Sequence, residues 1–136
     1  MGKVRLSSPE VVEGARDTYS QAFRAGDFIF INGQIGTTTS GTVVGPSIED
    51  EVRQAFTNFR ALVLAGGASM DDVVKLTIFI TDIAYRPAVV AIRREFFRGD
   101  FPCSTLVAVS GLAFGARFEV EGVAYSPAGN GRVALG

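Results

Sequence analysis

Residues 101–127 read FPCSTLVAVSGLAFGARFEVEGVAYSP, and the fold turns on how this stretch is arranged. Two extended segments, residues 104–109 and 117–125, flank a Gly-containing loop, which predicts a C-terminal hairpin. The second segment alternates strictly. Phe118, Val120, Gly122 and Ala124 fall on one face, and Arg117, Glu119, Glu121 and Val123 on the other, because successive Cβ atoms point to opposite sides of a sheet. Two carboxylates two residues apart therefore share a face. Strand interiors usually exclude acids, so either this face is wet or Glu119 and Glu121 have a task on it.

The 136 residues suit one domain, expected over residues 1–127, with the Gly- and Ala-rich residues 128–136 as a flexible tail. Eleven Phe, no Trp and an apolar share of 47% fit a soluble globular protein. With a net charge of −1 there is no electrostatic footprint for nucleic acid or an anionic membrane. No apolar run reaches the ~18 residues of a membrane span, and the N-terminus carries no apolar leader. The one cysteine, Cys103, excludes an internal disulfide and fits a reducing compartment, so a cytoplasmic location is expected. The absence of histidine removes His-based triads, His metal sites and imidazole shuttles together. A hard-cation carboxylate site stays open, though no clustered acidic loop supports one.

Upstream of this stretch, residues 73–82 read as a strand with Val74, Leu76, Ile78 and Ile80 on one side and Lys75, Thr77, Phe79 and Thr81 on the other. Ser47 is a good N-cap before three acids, Glu49, Asp50 and Glu51. Val52, Ala55, Phe56, Phe59, Leu62 and Val63 then follow the 3.6-residue period up to Gly66-Gly67. A second helix starts near Pro87, turns Val89, Ile92 and Phe96 inward and closes at Gly99. Nearer the N-terminus lie a short strand at residues 3–6, an extended segment at 18–23, a turn at Ala25-Gly26-Asp27 and a buried run at 28–31. Gly33 interrupts that last strand, as a bulge or as a point of close backbone approach. Three strands, a helix, a strand, a helix and two strands predict an α+β domain with both helices on one sheet face. The other face, carrying Phe79 and Val123, invites association between copies, with ligand clefts between subunits.

Tyr19-Ser20-Gln21-Ala22, Gly26-Asp27-Phe28-Ile29-Phe30, Asn32-Gly33-Gln34-Ile35, Asp71-Asp72-Val73-Val74-Lys75, Phe96-Phe97 and Glu119-Val120-Glu121-Gly122-Val123-Ala124 occur in this order. Together they resemble the RidA/YjgF group of reactive-intermediate deaminases. The resemblance implies a chorismate-mutase-like fold, with a mixed six-stranded sheet and two helices on one face. It also implies a homotrimer with intersubunit clefts that hydrolyses small enamines or imines to keto acids and ammonia without cofactor. By the same resemblance Glu119 positions the hydrolytic water, Tyr19 lines the cleft and Gly33 lies beside the ligand.

One position departs from the pattern. The family's Pro-Ala-Arg-Ser motif, whose arginine grips a substrate carboxylate, reads Pro102-Cys103-Ser104-Thr105 here. Ser104 stands where the arginine would, which forfeits a charge-assisted contact of about 1.5–3 kcal/mol. The expected substrate therefore differs from 2-aminoacrylate, with Ser104 and Thr105 shaping the pocket. A non-catalytic trimer that binds a metabolite or a partner protein is the alternative. Arg117, on the Glu119 face, either supplies the missing charge or, the favoured reading, neutralises that glutamate. Arg16 and Arg24 are weaker candidates. Glu121 reads as a surface residue, and Cys103 and Ser104 lack a histidine or adjacent lysine to activate them.

Overall fold

Alternation along the last strand decides which side of the sheet is covered. Strand β6 (Phe118–Tyr125) buries Phe118, Val120, Gly122 and Ala124 and turns Glu119, Glu121, Val123 and Tyr125 the other way. The computed structural model describes residues 2–13 and 18–127; Arg16 and the expected tail lie outside them. On one flank β6 pairs antiparallel with β3 (Phe28–Gln34), and on the other with β4 (Val73–Ile80). Strands β1 (Val4–Leu6) and β2 (Ala22–Ala25) extend the sheet beyond β3, while β5 (Cys103–Ala108) runs parallel to β4 at the far edge. The sheet is mixed and six-stranded, in the order β1-β2-β3-β6-β4-β5.

The C-terminal hairpin expected from the sequence is therefore not formed. Parallel strands need a long crossover, which helix α2 (Arg86–Phe96) provides between β4 and β5. That leaves the other edge of β4 open. The 109–117 loop passes the end of β4, where the Val109 amide donates to the Ile80 carbonyl at 2.7 Å and the Thr81 amide to the Arg117 carbonyl at 3.1 Å. It delivers β6 into the gap between β3 and β4.

Helix α1 (Ile48–Ala65) begins as expected, with the Asp50 amide donating to Ser47 Oγ at 3.2 Å. Its stripe of Val52, Ala55, Phe56, Phe59, Leu62 and Val63 is wholly buried against the sheet. Gly122 makes this contact possible: a Cβ there would lie 2.6 Å from the Lys75 carbonyl oxygen and 2.8 Å from the Phe59 ring. Pro87 lies in the first turn of α2, which buries Val89 and Ile92 but ends at Phe96 rather than Gly99. Phe56 joins the layers, with ring centroids 5.3 Å from Phe96, 6.0 Å from Phe97 and 5.5 Å from Phe118.

The register of β4 also corrects the expectation. Two steps along β4, from Val73 to Lys75, match one along β6, from Ala124 to Val123. Val74 is the extra residue of a bulge. It is 43% exposed, and Val73, at 5%, takes its place in the core. On the uncovered face, the Phe28 ring meets Phe30 and Tyr125 with centroids 6.4 and 5.3 Å away, and all three stay exposed.

Candidate functional site

The site starts from a second bulge. Three steps along β3, from Ile31 to Gln34, match two along β6, from Gly122 to Val120. The additional residue falls at Asn32-Gly33 and bends β3 toward the start of β6. A Cβ on Gly33 would collide with the Glu119 carboxylate, lying 2.8 Å from its Cδ and 3.2 Å from its Cγ. The two alternatives left open for Gly33 thus hold together: it sits in a bulge, and it allows a close approach.

Behind the bulge two buried glutamines fix the backbone. Gln34 Nε2 donates to Gln21 Oε1 at 2.8 Å and to the Asn32 carbonyl at 3.1 Å, and Gln21 Nε2 donates to the Val12 carbonyl at 2.9 Å. A pair of long side chains tied in this way has little rotamer freedom, so the cavity wall is preorganised.

Tyr19, Asn32, Gly33, Gln34, Phe114 and Glu119 line one cavity of about 470 Å³. Glu119 is the only charged side chain among its described lining residues. It is half-buried and, among the described residues, makes no hydrogen bond or ion pair. Burial, reinforced by the like charge of Glu121, pushes its carboxyl above the ordinary carboxylate range. A carboxylate held this way accepts a proton more readily than a solvated one, as a general base near neutral pH requires.

Phe114 was missed in the sequence. It is 81% exposed at the cavity rim and has a left-handed backbone, φ +60°, just before Gly115 at φ +71°. The available signal was an aromatic residue directly before a glycine in a loop that has no core to fill. Asn32, Gln34 and Gln21 lay within resembling segments but had been given no role.

The other named residues lie elsewhere in the chain. Arg117 immediately precedes β6 and does not neutralise Glu119, as had been favoured. Its Nε donates to Glu51 Oε1 at 2.7 Å, its backbone amide to Glu51 Oε2 at 2.6 Å and its Nη2 to the Pro46 carbonyl at 2.9 Å. Glu51 on α1 is 1% exposed, and a carboxylate so buried requires a cation and hydrogen bonds. The Glu51 interaction holds the Arg117 guanidinium above its ordinary pKa. Arg24 is likewise consumed, buried and donating to the carbonyls of Gly66, Gly26 and Ser126.

Ser104 pairs in register with the core residue Leu76, and Thr105 with Thr77, so the two hydroxyls point to opposite faces of edge strand β5. Ser104 Oγ accepts from Arg93 Nη1 of α2 at 2.9 Å, and Thr105 Oγ1 from Lys75 Nζ at 2.8 Å. Neither hydroxyl lines the Glu119 cavity within this chain. Among the described residues, no three His, Cys, Asp or Glu side chains are grouped to hold a metal ion, and no helix is long and apolar enough to cross a membrane.

Residues 11–126 match the family model described as endoribonuclease L-PSP. A 2-iminobutanoate/2-iminopropanoate deaminase of Dermatophagoides farinae is 41% identical over 125 residues, covering 90% of this chain and 97% of the relative. The human protein of the same name is 35% identical, covering 88% of each chain. Among solved structures, YyfA, a Rid-family protein of Yersinia pestis, superposes with a TM-score of 0.86 at 34% identity, over 91% of this chain and 99% of the other.

Proposed function

This chain belongs to the RidA/YjgF family, and from that premise we propose that it is a deaminase that hydrolyses small imines, and enamines after their tautomerisation, to carbonyl compounds and ammonia. The observation that carries the reading is the half-buried Glu119 carboxylate, unpaired among the described residues and set against Gly33 in a cavity large enough for a small organic acid. The names of the relatives support the reaction class.

In the proposed step, water within hydrogen-bond reach of Glu119 adds to the carbon of the C=N bond. The carboxylate takes a proton from that water as the new C–O bond forms, and returns it to the nitrogen. The resulting carbinolamine then passes its hydroxyl proton by way of Glu119 to the nitrogen, and ammonia leaves as the C–N bond breaks and the C=O bond forms. One water is consumed and one ammonia released, so atoms and charge balance without an oxidant or a second substrate. A base above the ordinary carboxylate range suits both the uptake and the return of the proton. Gly33 leaves room for the Glu119 carboxylate itself, and Tyr19 forms part of the cavity wall.

The uncovered face, with Phe28, Phe30 and Tyr125 exposed together, supports assembly into a homotrimer with clefts between subunits. Ser104 and Thr105 would then enter a cleft from a neighbouring copy. Imine freshly generated by an amino-acid oxidase, supplied to wild type and Glu119→Gln, tests the proposal. Ammonia release that drops at least about 100-fold in the variant is expected, and equal rates remove Glu119 from the mechanism. Light scattering that gives a monomer would refute the trimer. A binding-only trimer is the second reading, favoured by the absence of a cation among the described cavity-lining residues. Ligand retention without turnover across an imine panel would select it.

A further inference from the structure

A 2-imino acid carries a carboxylate, and the Glu119 cavity offers it only a like charge among the described residues. If the deaminase reading holds, a cation has to arrive from outside that cavity. Most described cations are already engaged: Arg5 with Glu13, Arg24 with backbone carbonyls, Arg53 with Glu95 and Asp50, and Arg117 with Glu51. Lys3 and Arg60 lie over the rings of Phe23 and Phe96.

Arg93 differs. Its guanidinium is half-buried and directed, yet its one hydrogen-bond partner among the described residues is the neutral Ser104 hydroxyl. Burial first, and then the like charges of Arg86 and Arg94, press its pKa below the ordinary arginine value. A guanidinium held against like charges is stabilised by an anion. Because Ser104 Oγ accepts from Arg93, its own proton remains available to donate. The pair thus presents forked N–H groups and an O–H at the exposed edge of β5, a donor set that matches a carboxylate.

We propose that Arg93, oriented by Ser104, is the carboxylate-binding residue, and that each copy supplies this pair to the Glu119 cavity of its neighbour. β5 and the β3 bulge lie on opposite sides of β6 and β4 in the sheet. A cyclic trimer joins two unlike patches at every contact, so the β5 edge of one copy seats beside the cavity of the next. The substrate carboxylate then binds across the seam while its C=N carbon faces Glu119.

The proposal rests on the deaminase reading, and two readouts separate them. The first is binding of 2-oxobutanoate, the keto product, measured by calorimetry on the intact oligomer with uncharged 2-oxobutanamide as the control. Arg93→Met is expected to weaken 2-oxobutanoate by about 10- to 100-fold and leave the amide unchanged. Ser104→Ala is expected to weaken it by about 5-fold, and Arg93→Lys to recover part of the loss. The second is turnover: Arg93→Met raises KM with kcat within about 3-fold, whereas Glu119→Gln lowers kcat. Co-expressed Arg93→Met and Glu119→Gln chains regain activity in mixed trimers, because one seam then holds both intact residues.

A wild type that binds 2-oxobutanoate through Arg93 but turns over no imine would discard the deaminase reading and keep this one. Undiminished binding by Arg93→Met, no 2-oxobutanoate binding by wild type, or a loss seen with Arg16→Ala instead would overturn it. Ser104→Ala and Arg93→Lys keep the outcome decisive should Arg93→Met fail to fold.

Discussion

Gly33→Ala is the substitution that best separates folding from chemistry in this molecule. The backbone of Gly33 is not in the left-handed region, so alanine is sterically acceptable to its own chain. The obstacle is across the seam between strands, where the new Cβ would stand 2.8 Å from Glu119 Cδ and 3.2 Å from Cγ. Carbon atoms pack at about 3.5–4.0 Å, so the carboxyl group must retreat by about 1 Å. It is the far end of a half-buried side chain with no partner among the described residues, and swinging it aside costs little. Alanine also narrows the unfolded ensemble, which is worth about 0.4–1 kcal/mol. Net stability is therefore expected to stay within about 1 kcal/mol of wild type. A catalytic group displaced by 1 Å, by contrast, loses on the order of 100-fold in rate. Urea unfolding and ammonia release from generated 2-iminobutanoate measure the two effects on one preparation. If activity stays within about 3-fold of wild type while stability is unchanged, the position of Glu119 against Gly33 has no bearing on turnover. If stability falls by 2 kcal/mol or more, the supposed ease of moving that side chain is wrong.

Three further outcomes follow from named contacts. Folded Glu119 keeps its proton to higher pH than the unfolded chain, whose carboxyl titrates near 4.5. Its stability contribution is thus full below that value and is lost as pH rises through the folded pKa; the melting temperature of Glu119→Gln should match wild type at pH 4 and exceed it at pH 8, and the acid limb of the wild-type kcat profile should lie above the ordinary carboxylate range. Glu51→Gln leaves the Arg117 N–H groups poorly matched at a buried site and is expected to cost about 2–4 kcal/mol in urea unfolding; a loss under 1 kcal/mol would make the pair a surface bridge in effect. Phe114→Asn exchanges an exposed aromatic in left-handed backbone for a residue that tolerates it and should stabilise by about 0.5–1 kcal/mol, read as a rise in melting temperature; a fall would show that Phe114 is buried in the assembled protein.

Helix α1 was legible almost entirely, because its cap, its acidic first turn and its 3.6-residue stripe are local signals that all agree. The buried face of β6 was legible for the same reason. Pairing partners were not: the loop after β5 is compatible both with a hairpin and with a passage over β4, and only the parallel crossover through α2 decides between them. Val74 was misplaced because a bulge shifts alternation by one residue without any trace in composition. In the site, Glu119 and Gly33 were legible through resemblance, whereas the Glu51–Arg117 pair, 66 residues apart in sequence, was not. Alternation alone put Arg117 beside Glu119, but a buried acid on another element took its charge.

The central placement of β6 has a consequence for biogenesis. During synthesis the two blocks that flank it, β1-β2-β3 and β4-β5, emerge first, each with a raw hydrogen-bonding border where the final strand belongs. Such borders are templates for wrong partners. Until residues 118–125 have left the ribosome neither block is sealed, and the same segment brings the carboxylate on which turnover is proposed to depend. Nascent chains stalled before Phe118 should therefore be sticky and inert, and a chain that lacks β6 has no half-working form to fall back on.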